Sequence, residues 1–181
     1  MQDGCVQEVR KTPFPVSGGI ALRYAVINLG ISSPLHGLII WAGWQPEDYD
    51  SHLNPVALFV AGILLAPVLE TFLNFWIPIW IVDKLFGGKA FAHGLAWIAC
   101  VAPFVWVHYG GDYFHRSFLT ALCTGVVCGT CFYLCYRRAE ASEGVNAFWT
   151  TALCHSLFNG LVALVAGLLV VLTRAFPALS F

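Results

Sequence analysis

The chain has 181 residues, of which 59% are hydrophobic and only 10% charged, with a mean hydropathy of +0.74 and a net charge of -1. A soluble domain carries about 25% charged residues, so this composition cannot cover a surface against water, and lipid is the expected solvent. No basic excess is present to neutralise phosphates, which excludes nucleic acid as a partner, and the length suits one domain.

The N-terminal stretch MQDGCVQEVRKTPFPV is polar, mixed in charge and without the apolar core of a cleavable signal. Gly18–Trp44 is apolar but interrupted by Ser32, Ser33 and Pro34, and it carries Arg23 and His36. It is too short for two ordinary spans and reads as one broken or tilted helix. Four further runs reach the roughly 20 apolar residues that a membrane helix needs: Pro55–Val82, Ala90–Tyr109, Phe118–Tyr136 and Val145–Leu172. Short connectors hold the turn-formers and charges: QPEDYDSHLN, DKLFGGK, GGDYFHR and RRAEASEG. The predicted fold is all-α, a polytopic transmembrane bundle of five spans, or six if a break near Pro34 or Pro67 adds one.

Charge sets an orientation. In a five-span arrangement Arg10, Lys11, Lys84, Lys89, Arg137 and Arg138 fall on one side, and Arg116 and Arg174 on the other. Cytoplasmic loops carry the basic excess, so the N-terminus is expected inside. The loop after the first span holds only acids, Glu47, Asp48 and Asp50. Gly125 and Gly129 form a G-x-x-x-G arrangement whose small faces let helices approach closely; packing inside the bundle is its expected use. Six of the seven cysteines lie in apolar runs, where cysteine behaves as a small hydrophobe. Cys128 and Cys131 form a C-x-x-C without a second pair at zinc-site spacing.

An ionisable side chain in a span costs at least a few kcal/mol and marks function by default. Glu70 sits in LAPVLETFLNFW, His108 in PFVWVHYGG and His155 in ALCHSLFNG. Each belongs to a pair four residues apart: Glu70 with Asn74, Phe104 with His108, and His155 with Asn159. Such pairs share one helix face, so three helices can aim a carboxylate, two imidazoles and two amides at one interior point. That set contains a general base, a second proton carrier and donors for an oxyanion. Taken singly, each residue also has a plainer use, as a packed histidine or an interhelical amide link.

The three motifs in order resemble the CPBP family of intramembrane proteases, which includes the CAAX prenyl endopeptidases and the Abi-type bacterial membrane proteins. That family carries Glu-Glu-x-x-x-Arg, Phe-x-x-x-His and His-x-x-x-Asn on successive core helices. Here FVWVH (Phe104–His108) and HSLFN (His155–Asn159) are intact, and ETFLN (Glu70–Asn74) follows Ala66-Pro67. Thr71 replaces the second glutamate and Asn74 the arginine, departures that weigh against a prenylated CAAX substrate. The resemblance spans Leu53–Leu172 and implies a polar N-terminus with the first broken helix over residues 1–52, and a protease-like core containing a four-helix catalytic unit over residues 53–181.

The resemblance further implies a multi-pass protein of a bacterial inner (plasma) membrane, contacting lipid and hydrolysing a membrane-associated protein or peptide. Carried over, Glu70 is the general base, His108 orients the water or shares its proton, and His155 and Asn159 donate to the oxyanion. Thr71, Asn74 and Phe104 are supporting residues. No cofactor is needed in this scheme. Its alternative is a zinc site formed by Glu70, His108 and His155. Two non-hydrolytic readings stand beside it: a membrane scaffold or bacteriocin-immunity-type protein with the same fold, and a proton-coupled transporter using the same residues as a relay.

Overall fold

The computed structural model describes residues 15–42, 55–110 and 118–176. Expectations resting on Cys5, Arg10, Lys11, Trp44, Glu47, Asp48, Asp50, His52, His115, Arg116 and the division between residues 52 and 53 lie outside the described residues. Among those described, all regular structure is helical, and it forms five rods. The first rod is α1, Gly18–Trp41, a single continuous helix that runs through Pro34. The second, residues 55–86, joins α2 (Pro55–Val60), α3 (Ala66–Glu70) and α4 (Ile77–Phe86) through two π-helical turns, Ala61–Leu65 and Thr71–Trp76. The third is α5, Ala92–Gly110, and the fifth is α8, Ala147–Ala175. Between them, α6 (Phe118–Cys123) and α7 (Gly129–Glu140) are joined by a π-helical turn over Thr124–Cys128. Three stretches are long and apolar enough to cross a membrane: Ala61–Phe86, Ala92–Tyr109 and Ala147–Leu172, with mean hydropathies of 1.6, 1.2 and 2.1.

Proline explains two of the π turns. A proline has no N–H and its ring clashes with the carbonyl four residues earlier, so the turn ahead of it widens to a five-residue closure. Before Pro67, the Ala66 N–H bonds the Ala61 carbonyl, five residues back. Before Pro78, the Ile77 N–H likewise reaches the Phe72 carbonyl. Such turns cluster at functional positions, and these two bracket α3, which ends on Glu70.

One end of every rod meets at a common face. The Ser17 N–H donates to Thr150 Oγ1 at 3.1 Å, which sets the starts of α1 and α8 side by side. Asn146 caps α8 by accepting from the Trp149 N–H, while its own N–H donates to the Pro15 carbonyl at 2.7 Å. Arg137 grips Asp83 through two hydrogen bonds of 2.7 and 2.9 Å, tying the ends of α4 and α7. Tyr133 Oη donates to the His93 carbonyl at 2.9 Å, holding the start of α5 to the same place. Consecutive rods therefore alternate in direction, and Lys84, Lys89, Arg137 and Arg138 gather at this end.

The core is small and aromatic. Phe75, Phe104 and Phe132 come from the second, third and fourth rods and are at most 1% exposed. Their ring centroids are separated by 5.6 Å (Phe75–Phe104), 6.0 Å (Phe75–Phe132) and 6.0 Å (Phe104–Phe132), in tilted and edge-on contacts. Each such pair adds about 0.5–1.5 kcal/mol beyond its buried area. Ala21 and Ala25 bring α1 into the same core. The rest of the surface is apolar: Leu64, Leu69, Leu164, Leu168 and Val171 are all more than half exposed, as expected where lipid is the solvent.

Gly125 and Gly129 act within the chain. A Cβ on Gly125 would collide with the Val105 side chain and backbone, and one on Gly129 would stand 3.3 Å from the Phe104 ring. The glycines thus let the fourth rod press directly onto the segment of α5 that carries the Phe-x-x-x-His motif. The six described cysteines are free thiols, five of them buried.

Candidate functional site

Glu70 ends α3 immediately before the second π turn. Thr71, Asn74 and Phe75 of that turn face into the protein, at 0, 7 and 0% exposure. Glu70 lies at the edge of that face with its side chain 23% exposed. Glu70 Oε2 and the Asn74 side chain are both shielded from solvent, so the wider turn leaves this four-residue pair turned inward.

His155 approaches Glu70 from α8. Its Nε2 lies 3.8 Å from Glu70 Oε2, an ion-pair distance too long for a direct hydrogen bond. The imidazole is 4% exposed and stacks on Phe132 with centroids 4.2 Å apart and planes inclined by 29°. Its Nδ1 has no hydrogen-bond partner among the described residues. Packing rather than hydrogen bonding sets the orientation of this ring.

His108 is held by the other member of its motif. Its Nδ1 donates to the Phe104 carbonyl at 2.7 Å, one turn back on α5. A carbonyl only accepts, so this bond assigns the proton to Nδ1 and leaves Nε2 of the neutral ring as an acceptor. The Phe104 ring touches both imidazoles, with centroids 4.4 Å from His108 and 6.0 Å from His155. Phe104 therefore has three contacts that matter: the aromatic core, His108 and His155.

Asn159 is engaged elsewhere. Its Nδ2 donates to the Gly62 carbonyl at 2.7 Å. The first π turn accounts for this bond. Because the Ala66 N–H is used by Ala61, the five-residue pattern assigns Gly62 to the nitrogen of Pro67, which has no hydrogen. An orphan carbonyl in this partly buried position is costly, and the Asn159 amide satisfies it. Half of the His-x-x-x-Asn motif thus clamps α8 to the proline-broken segment that leads to Glu70.

Two threonine hydroxyls on the same elements have unmet bonding capacity. Thr71 Oγ1, on the residue after Glu70, and Thr151 Oγ1, one turn before His155, are buried without a hydrogen-bond partner among the described residues. Asn28 of α1 is 0% exposed, and neither of its amide atoms has a partner among the described residues. It lies on a buried stripe with Ala21, Ala25 and Ser32. A lone asparagine in the middle of an apolar helix is the sequence signal for it. Gly62 and Thr151 have no such signal: one acts through its carbonyl, and the other looks like an ordinary small helix residue.

The alternative zinc set is not assembled in this geometry. Among the described residues, no three histidine, cysteine, aspartate or glutamate side chains are placed to hold a metal ion.

The fold and site together define an all-α bundle with apolar, membrane-length helices, in which a partly exposed Glu70 stands 3.8 Å from the buried His155 and Phe104 touches both His155 and His108. Compared with protein-family models, with curated proteins and with solved structures, the chain finds no match in any of the three.

Proposed function

We propose that this protein is an intramembrane endopeptidase of five spans with its N-terminus inside, in which Glu70 activates a water molecule against a peptide bond. The observation that carries the reading is the approach of His155 Nε2 to Glu70 Oε2 at 3.8 Å across two rods, beside an aromatic contact that links both imidazoles. The resemblance of ETFLN, FVWVH and HSLFN to the CPBP motifs supports the same assignment, and the basic end of the bundle supports the orientation.

The roles follow from proton positions. Glu70 takes the proton of the attacking water. His108, with Nδ1 protonated, presents Nε2 as an acceptor that orients the same water. His155 presents Nε2 towards the carboxylate and is a hydrogen-bond donor for the oxyanion, while the proton that Glu70 takes from the water is handed on to the departing amine. Donors of this kind contribute about 3 kcal/mol each to the barrier. Asn159 holds α8 against Gly62, and its second amide hydrogen remains for the oxyanion. The substrate class is a membrane-associated protein or peptide reaching the site from the lipid side.

A scaffold or immunity-type protein is the competing reading, and the Asn159–Gly62 clamp, a purely architectural use of a motif residue, favours it. Purified protein in proteoliposomes, presented with a library of membrane-tethered peptides, separates the two. Hydrolysis by the wild type and none by Glu70→Gln supports the peptidase. Equal cleavage by both, or a cellular phenotype that survives Glu70→Gln at normal expression, defeats it.

A further inference from the structure

We propose that a groove between the first turns of α1 and the last turn of α7 is a binding site for a phosphate-bearing anion, and that its occupant is the headgroup of an anionic phospholipid. The groove encloses about 310 Å³ and is lined by Ser17, Gly19, Ile20, Arg23, Tyr24 and Arg138. Two arginines from different helices converge on it, and no carboxylate lines it. Neither Arg23 nor Arg138 forms an ion pair with a carboxylate among the described residues. The contrast with the adjoining Arg137 is sharp, since Arg137 donates to Asp83, Glu140 and the Tyr133 hydroxyl. One arginine at this corner is consumed by the fold, and two are left facing a cavity.

Phosphate is the chemistry that such a pair fits. The planar guanidinium donates in a fork that matches phosphate oxygens, and charge-assisted bonds of this kind are about twice as strong as neutral ones. Two like charges held together without an anion repel, and an anion between them removes that cost. The tyrosine hydroxyl is a further donor, and the first turn of α1 has N–H groups with no intrahelical acceptor. The Ser17 Oγ already accepts from the Ile20 N–H at 3.3 Å, so only its hydrogen is available to a ligand.

The position selects a lipid over a soluble phosphate. Arg23 is five residues into α1, about 7.5 Å along the helix axis, so the groove sits at headgroup depth where the basic ends of the rods gather. Leu22, Val26 and Ile27 of α1 are exposed by 50, 53 and 39%, giving acyl chains an apolar track below the phosphate. Basic pockets between membrane helices on the cytoplasmic side recognise anionic headgroups by this combination.

The test uses the full chain in nanodiscs of phosphatidylcholine alone or mixed with phosphatidylglycerol, with bound lipid read by native mass spectrometry. Wild type is expected to retain phosphatidylglycerol preferentially, and the double variant Arg23→Gln/Arg138→Gln to lose about tenfold or more of that preference. Lys84→Gln, which removes one charge from the same end but lies outside the groove, is expected to behave as wild type. A separate arm titrates inorganic phosphate into phosphatidylcholine discs. Stabilisation there that disappears in the double variant supports the site with a soluble occupant in place of the lipid. Equal phosphatidylglycerol retention by wild type and double variant, or an equal loss in Lys84→Gln, overturns the proposal, because the attraction is then diffuse.

Discussion

Two carboxylates on the second rod, Asp83 and Glu70, each face a nitrogen base on another rod, and they are built in opposite ways. Asp83 is held by Arg137 in a two-pronged contact at 2.7 and 2.9 Å, and Arg137 is further bonded to Glu140 and Tyr133. Glu70 stands 3.8 Å from a histidine whose second nitrogen has no partner among the described residues. The first pair fixes the geometry of two helix ends. The second leaves His155 Nδ1 without a hydrogen-bond partner among the described residues, in a place where an unmet polar group costs about 1–3 kcal/mol. A packing role alone gives no return for that cost, whereas the proposed reaction, which needs an acceptor and a donor at one point, would.

The largest effect separating the pairs is expected at Glu70. Glu70→Gln keeps the shape and removes the base, so peptide hydrolysis in proteoliposomes should fall by about 10²–10⁴. Thermal melting in detergent should move little. Loss of folding in this variant would place Glu70 with Asp83 as a structural carboxylate. The mirror-image experiment is Arg137→Gln, which leaves Asp83 without its cation. Removing one member of a buried pair costs 3–5 kcal/mol, but the Asp83 side chain is 39% exposed, so solvent screening reduces the expected loss to about 2 kcal/mol. Activity per folded molecule should be unchanged. A variant that lost activity without losing stability would break the distinction.

Asn159 tests whether one residue can belong to both categories. Asn159→Ala removes the donor to the Gly62 carbonyl and should cost about 1–3 kcal/mol in stability. With the clamp gone, α8 is free to shift relative to the segment carrying Glu70. Turnover should then fall as well, and adding a stabilising lipid should restore the melting temperature without restoring turnover. Full recovery of both would reduce Asn159 to an architectural residue.

Much of this arrangement was legible in the sequence. Helical class, the course of the rods and the alternation of the basic connectors follow from hydropathy and charge, which report the solvent of each segment directly. The meeting of Glu70 with His155 could be anticipated because buried ionisable groups on neighbouring helices need each other. The turn geometry was not legible in this way. Hydropathy does not register a π turn, so nothing in the composition of Ala61–Leu65 or Thr71–Trp76 announced the five-residue closures there. The same blindness hid Gly62: Pro67 announces a lost N–H, but which carbonyl is orphaned depends on whether the turn closes over four residues or five. The role of Asn159 as a clamp follows only once that closure is known.

The smallest expected effect concerns a neutral contact and calibrates the other three. Trp97 Nε1 donates to Thr130 Oγ1 at 3.0 Å, joining α5 to α7 near the held end of the bundle. Thr130→Val keeps the branched shape of the side chain and removes the acceptor, so packing is preserved and only the hydrogen bond is lost. Both residues are partly exposed, and the indole N–H can turn to interfacial water for part of what it loses. The expected cost is about 1 kcal/mol or less, with turnover unchanged and Thr130→Ser behaving as wild type. A loss as large as that of Arg137→Gln would mean that the held end resists change as one unit, and that the ion pair is no more specialised for structure than the neutral bonds around it. A small loss leaves the distinction intact: this end of the bundle draws its rigidity from charge, while the looser Glu70–His155 pair is left to the proposed hydrolysis.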